Sequence, residues 1–198
     1  MPSPACPPRQ AAFAAILGAL FFLWLFGWQP LDPANIGWLM HGDPAQHYLG
    51  WQFYRGEPWR WPLGRIENFG APIGTGIVFT DSIPLLALML KPFAAWLPSE
   101  FQYFGIWMLV CYMLTAIFGW RLMARVTPHP WLRALAMLFF LMSPALLWRA
   151  YGHESLMAQW LLLAGIDRYA APWRGAPWLA LLLVAALVHP YLLLMLLA

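Results

Sequence analysis

Residues 101–120 read FQYFGIWMLVCYMLTAIFGW, twenty positions with no acid and no base among them. A helix of that length rises about 30 Å, the thickness of a bilayer's hydrocarbon core. Charge returns on both sides, with Glu100 before the run and Arg121 and Arg125 after it. The stretch reads as a membrane span, and the rest of the chain is organised around it. Upstream, Ala11–Trp28 is a second uncharged run. Only Arg9 gives it a basic flank, and no small-x-small cleavage site follows at Gln29-Pro30-Leu31-Asp32, so it reads as a retained span and not a signal peptide. Downstream come Trp131–Trp148, broken near its end by Pro144, then Ser155–Ile166 extending to about Ala171, and last Ala176–Ala198.

Composition agrees with that pattern. The 198 residues are 62% hydrophobic and 10% charged, with a mean hydropathy of +0.61. A soluble domain is about 45–50% apolar and about 25% charged. This excludes a soluble enzyme, a nucleic-acid binder and a disordered chain. The net charge of +3 belongs to membrane topology and not to nucleic acid. Cys6 and Cys111 predict neither a disulfide nor a cysteine metal site.

The expected fold is all-α and integral to the membrane, with about five transmembrane helices. Residues 1–10 form a disordered tail, 11–29 the first span, 30–100 an outer loop with juxtamembrane or re-entrant helices, and 101–198 four further spans. Ile83–Leu97 is apolar but short and interrupted by Lys91-Pro92. A lysine at the bilayer centre costs about 2.5–3.5 kcal/mol and a proline removes a helical hydrogen bond, so this piece is read as not crossing. With the N-terminus inside, Arg9, Arg121, Arg125, Arg133, Arg168 and Arg174 fall on the inner side against one acid, Asp167. Arg55, Arg60, Arg65, Lys91 and Arg149 fall outside among seven acids. That is the positive-inside pattern of a membrane protein with a cytoplasmic N-terminus. A six-span arrangement with the N-terminus outside also gathers arginines inside, but buries Lys91. The last run, Tyr191–Ala198, has no polar cap, so the chain reads as the N-terminal part of something longer.

Four polar stretches carry the candidate chemistry. In His41-Gly-Asp43-Pro44-Ala-Gln-His47-Tyr-Leu-Gly-Trp51-Gln-Phe-Tyr-Arg55, Asp-Pro is a helix start with Asp43 as cap. Asp43, His47, Trp51 and Arg55 then share one helix face. In Trp59-Arg60-Trp61, the tryptophans can stack on sugar rings and the arginine can fork onto phosphate, or both can anchor a loop among headgroups. In Gly70-Ala-Pro-Ile-Gly74-Thr-Gly76 through Asp81-Ser82-Ile-Pro84, the glycines permit an irregular backbone without making a nucleotide fingerprint. Asp81 or Ser82 caps the following helix or meets a ligand. In Ser143–Ser155, Arg149, His153 and Glu154 either mark the water interface or face residues 41–55 across an outer cleft. His189, inside the last apolar run, is a further polar candidate. His41, Asp43, His47, Asp81, His153 and Glu154 include metal-binding residue types, but no ligand spacing requires an ion, so no metal or other cofactor is expected.

Two functions fit these residues. In the first, the protein is a membrane enzyme acting at the outer face on a lipid-linked substrate. Asp43 is then the base for an acceptor hydroxyl, and Arg55, Arg60, Lys91 or Arg149 holds the departing phosphate. In the second, it is a transporter, flippase or scaffold without chemistry, and His189 marks the route.

A first span, an outer loop with an early Asp, and a Pro-containing apolar helix with a Lys resemble the start of the C-type glycosyltransferases. These are polytopic enzymes that use polyprenyl-phosphate sugars. Gly42–Trp51, Ile77–Pro84, Phe101–Gly105 and Gly152–Ser155 resemble a bacterial membrane family of unknown function within that class, and the likeness runs over roughly residues 11–195. The resemblance implies a catalytic Asp43, juxtamembrane helices in residues 44–97, and a donor phosphate near Lys91 or the loop arginines. It implies hexosyl transfer, with a lipid-linked sugar donor and membrane lipids as partners. The wider class often pairs two acids in this motif, whereas here Pro44 follows Asp43.

Overall fold

A computed structural model describes residues 7–198; Cys6 and the part of the expected tail before Pro7 lie outside the described residues. Pro8, Arg9 and Gln10 are not tail: they form the first turn of α1 (Pro8–Phe26), started by proline at its first position. Most of the described chain is helical. Among the described residues, two helices are long and apolar enough to cross a membrane, α1 and a later helix over Phe104–Met123.

Between them lies the first polar segment, which carries α2 (Gly42–Gly56) and α3 (Pro84–Leu90). It also holds a ribbon of two-residue strands, β1 (Arg65–Ile66) and β2 (Thr75–Gly76), paired antiparallel. The all-α expectation did not include this ribbon. α3 and the single 3-10 turn after it, Lys91–Phe93, are far shorter than a bilayer.

The Phe104–Met123 helix, α4, is the centre of the fold, packing against α1, α5 (Pro130–Leu141) and α7 (Trp160–Tyr169). Gly18 lets α1 approach it closely: a Cβ there would lie 2.6 Å from the Tyr112 carbonyl oxygen. Phe13 meets Trp120 edge-on at 5.5 Å, and Phe22 and Phe26 flank Tyr112 at 6.0 and 5.8 Å. Another face of α1 is left apolar and exposed, with Ile16, Leu20 and Trp24 on it.

The later apolar runs do not form single long helices. The 131–148 run divides at Ser143 into α5 and α6 (Pro144–Arg149). The 176–198 run divides at His189 into α8 (Gly175–Val188) and α9 (Pro190–Leu197), with His189 extended at φ −162° and ψ 133°. Pro144 and Pro190 are the reason, since proline lacks the N–H and its ring strikes the carbonyl one turn back. The 155–166 run is a short 3-10 stretch, Glu154–Met157, followed by α7.

The two ends of α4 differ in chemistry. Its C-terminal end holds Arg121, which joins Arg125 in gripping the buried Asp167, each 2.8 Å from a carboxylate oxygen. Its N-terminal end abuts the polar segment through Phe101–Gly105. Gln102 donates to the carbonyls of Pro30 and Asp32 (both 2.8 Å) and accepts from the Gly105 N–H (3.0 Å).

Candidate functional site

α2 lies against the 80–82 turn because Gly50 has no side chain. A Cβ there would stand 2.3 Å from Thr80 Oγ1 and 2.4 Å from Ser82 Oγ. In that space Ser82 donates to the His47 carbonyl at 2.6 Å, and Thr80 and Ser82 bond each other at 2.8 Å. Tyr103 donates to the Ser82 carbonyl from the α4 side. The turn so clamped holds Asp81 at φ +54° and Ile83 at φ +51°, a left-handed backbone that costs a non-glycine residue on the order of 1–3 kcal/mol. The result is that Asp81 stands beside His47.

Neither aspartate caps a helix. No side chain caps α2, whose flanking residue is His41, and Asp43 sits inside the first turn with a 69% exposed side chain. Ile83, not Asp81 or Ser82, precedes α3. The cap readings of Asp43 and Asp81 are therefore corrected, and both carboxylates are left for other partners.

Those partners are three imidazoles from three parts of the chain. His189 accepts the Tyr191 N–H on Nδ1 (3.1 Å), so its Nε2 carries the proton and donates to Asp81 Oδ1 (3.0 Å). The second oxygen, Asp81 Oδ2, faces His47 Nε2 at 3.7 Å and His153 Nδ1 at 3.8 Å. His47 Nδ1 donates to the fully buried Glu154 at 2.5 Å, and Trp107 holds the Glu154 carbonyl at 2.7 Å. His153 Nε2 lies 3.7 Å from Asp43 Oδ2, at the open side. Burial pushes the Asp81 carboxyl up, but the His189 hydrogen bond and the fields of His189, His47 and His153 outweigh it and hold it below the usual carboxylate range. One ligand atom each from His47, Asp81 and His153 falls within 4.8 Å of the others, a group that can hold a metal ion.

Beside this cluster is a cavity of about 260 Å³, walled by Phe26, Pro30, Trp38, Pro44, Met108, Ala150 and Tyr151 with His41 and Glu154 at its polar edge. Its lining suits an apolar chain.

Of the other sequence candidates, all but Arg149 have partners outside the cluster. Trp51 is buried and donates to the Phe101 carbonyl (3.1 Å). Arg55 donates to the carbonyls of Ala94, Leu97 and Pro98 at 2.7–2.9 Å, closing the segment after α3. Arg60 and Arg65 pair with Glu67 at the surface (3.1 and 3.3 Å). Lys91 is 5% exposed, with its ammonium 3.7 Å from the Tyr54 ring centre and bonded to the Tyr54 carbonyl. Arg149, half-buried on α6 just before His153, makes no side-chain hydrogen bond or ion pair among the described residues. The signal in the sequence for His189 is a polar residue inside an apolar run, read as a functional candidate or as a histidine hydrogen-bonded to a neighbouring element; its partner Asp81 is not visible there.

Among the described residues, fold and site together define a largely helical protein with two helices long and apolar enough to cross a membrane and a histidine–carboxylate cluster beside them. The chain belongs to the family described as Domain of unknown function (DUF6311), which matches residues 15–198. No curated protein and no solved structure matches it.

Proposed function

We propose that this protein is a membrane enzyme that moves a sugar from a polyprenyl-phosphate donor to an acceptor at the extracytoplasmic face. The observation that carries the reading is the open-sided cluster itself. An exposed carboxylate, Asp43, stands at the mouth of a buried histidine–carboxylate network, next to an apolar cavity, and the backbone of an uncommitted cation, Arg149, is bonded to that of His153. In the transfer, the acceptor oxygen bonds to the sugar's anomeric carbon as the bond to the phosphate oxygen breaks. Asp43 takes the acceptor's proton, and Arg149 stabilises the charge on the departing phosphate. The cavity receives part of the isoprenoid chain.

The membrane arrangement belongs to the same proposal. α1 and α4 are spans, and α5–α6, α7 and α8–α9 are three crossings built with broken or short helices, five in all. Non-helical backbone at membrane depth is tolerated where it is buried in protein or lines a cavity, which is where His189 sits. The Arg121–Arg125–Asp167 end of α4 then faces the cytoplasm of a bacterial inner membrane, as does the N-terminus, and the cluster faces outward.

The test is sugar release from tritiated undecaprenyl-phosphate glucose and mannose by membranes containing the full-length protein. Wild-type membranes should release label above empty membranes, and Asp43→Asn should lower the rate by about 10²-fold or more. No release by the wild type, or full activity in the variant, overturns the reading.

A further inference from the structure

We infer that His47 Nε2, Asp81 Oδ2 and His153 Nδ1 form a three-ligand site for a divalent transition-metal ion, with zinc the best fit. The separations carry the argument. Asp81 Oδ2 is 3.7 Å from one imidazole nitrogen and 3.8 Å from the other. Both gaps are too long for hydrogen bonds. They are close to the roughly 3.4 Å between donors that each sit about 2.1 Å from a tetrahedral ion. His153 Nδ1 is buried and has no hydrogen-bond partner, and the buried Glu154 also keeps one unpartnered oxygen.

The surrounding bonds are those a metal site needs. Each proposed ligand has its other polar atom facing a separate group: His47 Nδ1 on Glu154, Asp81 Oδ1 on His189, and His153 Nε2 towards Asp43. Carboxylates behind ligating histidines fix the ring and raise its basicity. The strained backbone at Asp81 fits a side chain aimed for a purpose. Two imidazoles and one carboxylate favour zinc or a similar transition metal over magnesium or calcium, which prefer all-oxygen shells. The fourth position would open towards Asp43 and solvent, as in sites that bind a water or a substrate oxygen.

Metal binding is read without substrate, so this inference and the transferase reading fail separately. Tag-free full-length protein in detergent is stripped with a chelator, then titrated with ZnCl2, CoCl2 and MgCl2. Binding is followed by calorimetry and elemental analysis, and cobalt also by its visible spectrum. One equivalent of zinc, a cobalt band of low-symmetry four- or five-coordinate type, and no comparable magnesium binding are expected. His153→Ala and Asp81→Asn should each weaken zinc at least tenfold with unchanged circular dichroism, while His129→Ala on the exposed 127–130 turn should not. His153→Gln serves if His153→Ala fails to fold. Folded wild type that binds no stoichiometric zinc, or binding indifferent to His153 and Asp81 substitutions, overturns the site.

Discussion

His189 Nε2 donates to Asp81 Oδ1 at 3.0 Å, joining the break between α8 and α9 to a turn 108 residues earlier in the chain. The bond does two things. It gives the imidazole in the last apolar run a partner, and it leaves Asp81 a single free oxygen, which faces His47 and His153. A polar residue on a transport route would be expected to line a passage; here it orients a carboxylate. In the proposed metal site His189 is a positioning residue.

His189→Ala should therefore free Asp81 to rotate. Zinc affinity should fall by about 10–100-fold, the usual cost of losing such a supporting group. His189→Gln, whose amide N–H can reach the same oxygen, should restore a good part of it. Calorimetry on the two variants checks this, and equal loss in both would assign His189 a packing role only.

Gly50→Ala should disturb the site without touching any polar group in it. The added methyl would collide with Thr80 and Ser82, so the 80–82 turn must lift off α2 and carry Asp81 with it. Overpacking of this kind costs about 1–3 kcal/mol. Thermal unfolding in detergent should show a lower midpoint, and zinc affinity should fall in parallel.

Lys91 should make stability depend on alkaline pH. Burial pushes its ammonium below the ordinary lysine value, partly offset by Glu57. The folded state then gives up its proton before the unfolded state does. Between the lowered value and the ordinary value of about 10.4, the unfolded chain binds more protons, so stability rises with pH across that window. Lys91→Met should flatten the rise in a series of thermal scans. A wild-type midpoint that falls through the window by the same amount in both proteins would place the effect elsewhere.

The side of the membrane is checked by labelling. With Cys6→Ser and Cys111→Ala in place, Asn68→Cys on the exposed loop after β1 should react with an impermeant maleimide on spheroplasts. Labelling only after lysis would put the cluster in the cytoplasm and remove the extracytoplasmic assignment.

Much of the scaffold was legible from residue order. The uncharged runs gave α1 and α4, and Pro144 and Pro190 mark where the later runs break. The reach of those breaks was underestimated, because hydropathy registers an apolar run whether or not its backbone stays helical. The i, i+4 spacing of Asp43, His47, Trp51 and Arg55 correctly set them along one ridge of α2. It could not say that each would dock on a different neighbour: His153, Glu154, the Phe101 carbonyl and the carbonyls of 94–98. Asp-Pro reads as a cap, yet the Asp43 carboxylate caps nothing and lies 3.7 Å from His153 Nε2.

Sequence alone determined a chain more apolar than a soluble domain, with seven of its eight acids in the segments 30–100 and 149–154. Those are one-dimensional properties, fixed by transfer free energies and by proline's missing N–H. The cluster was decided by tertiary structure. His47 meets Glu154 across 107 residues and Asp81 meets His189 across 108, and no local spacing encodes such pairs. They form because packing around α4, and the empty space at Gly50, leave one arrangement in which these buried polar groups find partners.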